Sequence, residues 1–304
     1  MNSKNINVFL IKNSVALIVV SVFLISCGSK NPATDQNVTD SIPTEGSATL
    51  NKTQNIFYSI PSPVQLGKLL KRAGATYDKK TLNSIDNASK YVTINSKALN
   101  LGVYGADLSY SVIYNQAQQT MLYMKSAKKM SEELGITGSF SAEIVKRMEA
   151  NISNKDSLLP LISEIFLNSN QALKENEQSN ISVLVLAGGF IEGLYVGTQV
   201  AKTVKSNNDI VTRIAELKGA LNNLIIMLST ETNDKEVMAL TDELKTIKEI
   251  YNEMPTNESS PTVIADTVKN TMTIGGKSNY SLTKEQLEKI TAKAEVIRAK
   301  IIKP

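Results

Sequence analysis

The sequence predicts an all-α fold, a multi-helix antiparallel bundle with a long central helix. Apolar residues recur at spacings of three and four through most of residues 56–304, which is the period of one helix face. The helical pattern stops near the C-terminus, where residues 271–274 and 280–282 could pair as a small β-hairpin around Gly275 and Gly276.

The chain begins with the pattern of a lipoprotein export signal. Lys4 and Lys12 precede an apolar run, residues 15–25. This run is too short to span a membrane, which takes about 20 residues. Its length suits the apolar core of a secretory signal. Ser26 supplies the small side chain that a signal peptidase needs, and Cys27 is the only cysteine in the chain. We expect cleavage before Cys27 and acylation of its thiol and new amine, which anchors a protein stably. An uncleaved signal anchor with an incidental cysteine is the alternative.

The chain therefore divides into a signal peptide (residues 1–26), a lipidated disordered tether (27–55) and a helical bundle domain (56–304). The tether is rich in Ser, Thr, Asn, Asp, Gly and Pro and has few large aliphatic residues. Gly28 takes the place of the Asp that favours inner-membrane retention, and Lys30 begins a segment that lacks the acidic run of surface lipoproteins. Both features favour an outer-membrane anchor that faces the periplasm.

Composition excludes several classes of function. Without residues 1–26 the chain keeps 31 Lys and Arg against 29 Asp and Glu, so no basic face for nucleic acid is indicated. It has no histidine, which excludes Ser-His-Asp triads and His-based metalloprotease motifs. Acylation of Cys27 would use the only thiol. No cofactor or metal motif is recognisable, and Gly275-Gly276-Lys277-Ser278 lacks the upstream glycine of a phosphate-binding loop.

Helix signals follow one another along the domain. The longest predicted helix is apolar on more than one side, which predicts a central position, and Gly135 ends it. Thr283 and Gln286 form a capping box at the start of the last helix. The regular spacings in the two helices before it, with a short polar turn between them, predict an antiparallel helical hairpin. The predicted helices are residues 62–74, 78–88, 96–134, 142–151, 158–176, 180–205, 208–229, 234–253 and 283–301.

Two strips of small residues predict a close contact between two helices. Gly189, Gly193 and Gly197 are four residues apart, so they lie above one another on one helix face. Each costs about 1 kcal/mol relative to alanine inside a helix, which calls for a compensating contact. Gly102 and Gly105 form a similar strip on the longest helix. We expect the two strips to meet.

Polar residues beside these strips form the candidate ligand-binding site. If the glycines bring the two helices together, Asp107 and Glu192 share a cavity with Tyr104 and Tyr195. Paired carboxylates can bind a cation or a polar ligand, or perform acid–base hydrolysis. In the alternative, these groups satisfy one another in a buried network or face water.

The helix that carries Glu192 is nearly long enough to cross a membrane. Its Gly-xxx-Gly spacing also occurs in transmembrane dimers. Glu192 would then lie near the middle of the bilayer, and soluble-type helical repeats follow. A buried helix of a soluble bundle is therefore the preferred interpretation.

Three segments accompany the lipidation signal: residues 58–63 (YSIPSP), 98–108 (ALNLGVYGADL) and 188–195 (GGFIEGLY). With the signal they resemble an uncharacterised family of helical lipoproteins from Bacteroidetes-type bacteria. The resemblance covers residue 57 onward and implies the helical fold and the lipid anchor, but no activity.

The function expected from these features is a lipid-anchored periplasmic binding or envelope-assembly module that is not an enzyme. Its partners would be the membrane, through acyl chains on Cys27, and an envelope protein or a small polar ligand. A carboxylate hydrolase that uses Asp107 and Glu192, acting on a glycan, is the alternative.

Overall fold

Helices dominate this computed structural model, which describes residues 71, 76–136, 138–176, 178–204, 208–255, 262–266, 271–275 and 281–304. Two 3₁₀ turns, Lys79–Thr81 and Ile85–Asn87, come first. The α-helices of the described residues are α1 (Ile94–Ile113), α2 (Ala117–Glu133), α3 (Ala142–Ala150), α4 (Lys155–Glu175), α5 (Ser179–Thr203), α6 (Asn208–Leu228), α7 (Lys235–Asn252) and α8 (Lys284–Ile301). The predicted all-α bundle is confirmed.

Helix α1 lies at the centre of the bundle. Every residue from Asn100 to Ile113 is buried, because the helix is apolar or small on nearly all sides. Its most extensive contact is with α5, and α2, α4 and α8 also pack against it. The polar groups that the sequence places on α1 are therefore enclosed between helices.

The predicted helix 96–134 is wrong in its continuity, since α1 and α2 are separate. Asn115 has φ 56°, in the left-handed region, which asparagine tolerates better than most residues. The N–H of Gln116 then donates to the carbonyl of Ser111 at 2.9 Å. No glycine or proline marks this corner, and α2 folds back to pack on α1. Tertiary packing, rather than a local stop signal, ends α1.

The predicted helix 78–88 is also wrong, because the structure has only the two 3₁₀ turns there. Asn83 lies between them, and both of its backbone groups form hydrogen bonds with side chains from other parts of the bundle. Its N–H donates to Asp107 at 3.0 Å, and its carbonyl accepts from the Tyr123 hydroxyl at 2.9 Å. Those bonds replace the ones that a continuous helix would make.

Helices α6 and α7 form the predicted antiparallel hairpin. The hydroxyl of Tyr251, near the end of α7, donates to the carbonyl of Ile214, near the start of α6, at 2.7 Å. Helix α8 packs on α5 and α7. It begins with the predicted capping box, in which Thr283 and Gln286 each donate a backbone N–H to the other's side chain, at 3.0 and 3.1 Å.

Two antiparallel strands, β1 (Thr262–Asp266) and β2 (Thr271–Gly275), lie between α7 and α8 in sequence, with Thr262 opposite Gly275. The sequence predicted the second strand but paired it with residues 280–282. Leu282 is outside any strand. The β-branched run in β1 is the better strand former. The predicted signal peptide, tether and most of the helix at 62–74 lie outside the described residues.

Candidate functional site

A buried ion pair joins α5 to α8. The Nε of Arg298 donates to Oε2 of Glu192 at 2.7 Å, and Nη2 donates to Oε1 at 2.8 Å. Glu192 is 0% exposed and Arg298 is 7% exposed. Such a two-point contact is the strongest geometry for this pair. The guanidinium also donates to the carbonyl of Thr81 at 2.8 Å and lies 4.1 Å from the ring centroid of Tyr195.

The carboxyl group of Asp107 lies beside this pair and is 0% exposed. Its Oδ2 accepts from the N–H of Asn83, but no donor reaches Oδ1. Burial raises the pKa of Asp107 well above its usual value, and the charge of Glu192 raises it further. Arg298 and the Asn83 N–H oppose the shift only in part.

Of the two carboxyl groups, Asp107 is therefore the one whose surroundings favour the protonated form. Oδ2 accepts from the Asn83 N–H, so the proton belongs on Oδ1. Both oxygens of Glu192 accept from Arg298, so Glu192 carries the negative charge. The network then contains one cation, one anion and one neutral acid, so it buries no net charge.

Arg298 keeps its charge in this environment. Burial by itself lowers the pKa of Arg298, but the charge of Glu192 and the hydrogen bonds to it outweigh that effect, and the net shift is upward. Glu192 therefore faces a permanent cation.

Two tyrosines join the network to the 3₁₀ segment. The hydroxyl of Tyr104 donates to the carbonyl of Ser84 at 2.7 Å, and that of Tyr123 donates to the carbonyl of Asn83 at 2.9 Å. Burial raises the pKa of both hydroxyls above the usual tyrosine value. Both rings therefore remain neutral donors that satisfy backbone carbonyls.

The same network caps the C-terminus of α8. Asn100 donates from Nδ2 to the carbonyl of Ile301 at 2.9 Å, and the Tyr91 hydroxyl donates to the carbonyl of Ile302 at 2.9 Å. Asn83 connects the two, donating to Tyr91 at 3.0 Å and to Asn100 at 3.2 Å. Carbonyls at a helix end lack partners within the helix. These side chains therefore fix the last turn of α8.

The four residues predicted to form a ligand site do come together. Asp107, Glu192 and Tyr104 are buried, and the half-buried Tyr195 lies against the guanidinium of Arg298. Where the sequence led us to expect a ligand, the structure has Arg298. The arrangement corresponds to the alternative of a buried network.

Sequence reasoning missed Arg298, although a signal was present. Arg298 follows Ala294 by four residues and Ile290 by eight, so it lies on the apolar face of α8. Glu192 is the matching lone acid in an otherwise apolar helix. An unpaired charge on each of two buried faces implies that the two meet.

The predicted glycine contact lies at the crossing of α1 and α5. A Cβ added to Gly102 would be 2.6 Å from the backbone N of Gly189, and one added to Gly189 would be 3.4 Å from the carbonyl oxygen of Gly102. Gly188, which the sequence reasoning did not select, makes a closer approach, because a Cβ there would overlap the carbonyl of Leu99. The small residues let the two backbones touch.

The other selected glycines have different surroundings. A Cβ on Gly105 would overlap the ring of Phe166, which belongs to α4, so this glycine does not face α5. Gly193 and Gly197 are buried within α5. Beside Gly105 lies a mostly apolar cavity of about 20 Å³, lined in part by Phe166 and Ser169, which has room for one water-sized sphere.

Helix α5 is long and apolar enough to cross a membrane, and in the structure 78% of its most apolar window is buried inside the protein. Its neighbours α1 and α8 supply the apolar and ionic partners that it needs. Among the described residues, no three Asp, Glu or Cys side chains gather as a metal site would require. Comparison with protein-family models, curated proteins and solved structures found no match to this chain.

Proposed function

We propose that this protein is a lipid-anchored, periplasm-facing module of the outer membrane that binds a partner or helps to assemble the envelope, without catalysis of its own. The observation that supports this most directly is the internal use of the paired carboxyl groups. Asp107 and Glu192 are completely buried, and Arg298 occupies the space beside them. In this proposal the buried polar network stabilises the bundle, and the partner binds at the surface.

The anchor in this proposal depends on the sequence around Cys27. A lipid on that residue, followed by a polar tether, would hold the bundle near the membrane while leaving its surface accessible. The resemblance to helical lipoproteins adds support to the same arrangement.

A hydrolase that works through Asp107 and Glu192 would need substrate to reach both carboxyl groups. Retaining and inverting glycosidases hold their two carboxyls across an open cleft. Here neither side chain is exposed, and one of them is bound at both oxygens by Arg298. The two carboxyl groups therefore lack the open cleft that this chemistry needs.

Exposed apolar side chains mark where a partner can be sought. Among the described residues the most exposed large ones are Val92, at 79%, and Ile94, at 60%, where the chain enters α1. Asn95 donates to Asp234 at 2.7 Å, so this surface adjoins the start of α7, where Met238 is also exposed. Apolar surface of this kind is more often functional when several residues adjoin.

The test is photo-crosslinking in intact cells of the native bacterium, with the crosslinker at Ile94 and a matched control at Lys284, whose side chain is 91% exposed. We expect a discrete adduct at position 94 that is absent from position 284 and is lost in the Cys27→Ala variant. Adducts at neither position, or equally at both, would contradict a specific partner on this surface. Hydrolysis of envelope glycans by the purified protein, abolished by Asp107→Asn, would overturn the non-enzymatic proposal.

A further inference from the structure

The guanidinium of Arg298, on helix α8, faces two buried acids. Glu192 comes from α5 and Asp107 from α1, and both are completely buried. The same helix end is held by Asn100 and Tyr91 through its last carbonyls. Most of the polar contacts that dock α8 therefore converge on one network.

The titratable groups that face Asp107 come from several elements of the bundle. From α5 it faces Glu192, already paired, and from α8 it faces Arg298, whose pKa is raised. The other titratable neighbours are tyrosines from three elements, all with a pKa raised by burial. They are Tyr104 of α1, Tyr123 of α2 and Tyr77 of the N-terminal segment.

We propose that Asp107 acts as a proton-dependent latch. Helix α8 stays docked on the bundle while the Asp107 carboxyl group is protonated, and it undocks when that proton is lost. When Oδ1 gives this proton to water or hydroxide, two buried carboxylates face a single guanidinium, and like charges so close are strongly unfavourable without solvent. Undocking of α8 hydrates all three groups.

The open fraction of α8 depends on pH with a sign that follows from the protonation of Asp107 in the two states. The undocked state has lost the Asp107 proton above the usual carboxyl pKa, whereas the docked state keeps it. Opening therefore releases one proton, and the open fraction rises up to about tenfold per pH unit. Above the pKa of the docked state the dependence levels off. Undocking uncovers the face of α1 and α5 that α8 covers.

The test uses thiol labelling of the lipidated protein in detergent, because acylation of Cys27 leaves no other thiol. Ala294→Cys places a thiol on the buried face of α8, and Val296→Cys places one on its exposed face as a reference for thiol reactivity. Ala215→Cys, buried in α6, reports global unfolding. Labelling is measured from pH 6 to pH 10.

We expect labelling at position 294, divided by that at position 296, to rise with pH while position 215 stays protected. In an Asp107→Asn background this rise should vanish, because the amide has nearly the shape of the acid and cannot ionise. The exposed control Glu295→Gln should leave the rise unchanged. An unaltered rise in the Asp107→Asn background, or parallel labelling at position 215, would overturn the latch.

A second measurement keeps the proposal falsifiable if Asp107→Asn does not fold. The wild-type protein should show the infrared band of a buried protonated carboxyl group throughout the pH range in which labelling at position 294 rises, because the docked state keeps the proton there. Absence of that band at the low-pH end of this range, where position 294 is still protected, would refute the role of the proton.

Discussion

At the scale of single residues, the interior is organised around one cation and two acids. Removing one member of a buried ion pair leaves the other without compensation, which costs far more than the pair contributes. Glu192 and Asp107 are both acids on neighbouring helices, but they have opposite requirements. Glu192 must be charged to balance Arg298, whereas Asp107 must be neutral.

The first prediction concerns Glu192→Gln. The amide cannot balance Arg298, so we expect the free energy of unfolding to fall by about 3–5 kcal/mol, measured by urea denaturation. The control is Glu295→Gln, which removes an exposed ion pair with Lys202 and should cost less than about 1 kcal/mol. Equal losses of unfolding free energy for the two substitutions would mean that breaking the buried pair costs no more than breaking an exposed one.

The second prediction concerns Asp107→Asn, the same change of acid to amide one helix away. The pKa of Asp107 is raised in the folded state, so between about pH 4 and that raised value the folded protein binds a proton that the unfolded chain has lost. The wild-type free energy of unfolding should therefore decline relative to that of the variant as pH rises, by up to about 1.4 kcal/mol per unit. Urea denaturation from pH 4 to pH 9 measures the difference. A constant difference across this range would show that Asp107 is not the protonated group.

At the scale of elements, close approach of α1 and α5 aligns the two acids. Gly102, Gly188 and Gly189 remove side chains at this crossing. The corner at Asn115 then turns α2 back so that Tyr123 reaches Asn83. Helix α8 enters last in the chain and brings Arg298 to the group.

The third prediction compares two glycine-to-alanine changes inside helices. Gly219 has open space around its Cβ position, so Gly219→Ala should stabilise the fold by up to about 1 kcal/mol. At Gly102 the added methyl would overlap the carbonyl of Val185, so Gly102→Ala should destabilise it by about 1–3 kcal/mol. Thermal and urea unfolding of the pair measures both effects. Stabilisation by both substitutions would rule out a tight crossing.

At the scale of the whole molecule, the bundle and the proposed anchor depend on different parts of the chain. The bundle is stabilised by burial and by the network, with no disulfide open to a chain that has one cysteine. The proposed anchor depends on residues 1–27, and the proposed binding of a partner near a membrane needs both.

The fourth prediction concerns Cys27→Ala. Without the thiol no acyl chain can be attached, so we expect loss of acyl labelling and release of the protein from the membrane fraction. Ser26→Ala keeps a small residue before the cysteine and should stay lipidated. Membrane retention of the Cys27→Ala protein at its full precursor length would indicate an uncleaved signal anchor instead.

Most helices were predictable because apolar spacing and caps are local signals. The capping box at Thr283 and the hairpin of α6 and α7 are examples. The break at Asn115 was not predictable, since apolar spacing continues across it. The strand partner of residues 271–274 was also missed, because a hairpin register depends on which neighbouring run pairs best.

The sequence by itself determined the helical class and indicated the close contact of two helices that each carry an acid, whereas lipidation at Cys27 stays a prediction. Each of these depends on residue type and spacing along one segment. Only the tertiary structure decided what the acids face, because Arg298 is 106 positions from Glu192 along the chain. Whether two carboxyl groups line an open site or a sealed network depends on which third element covers them, and burial decides their charge.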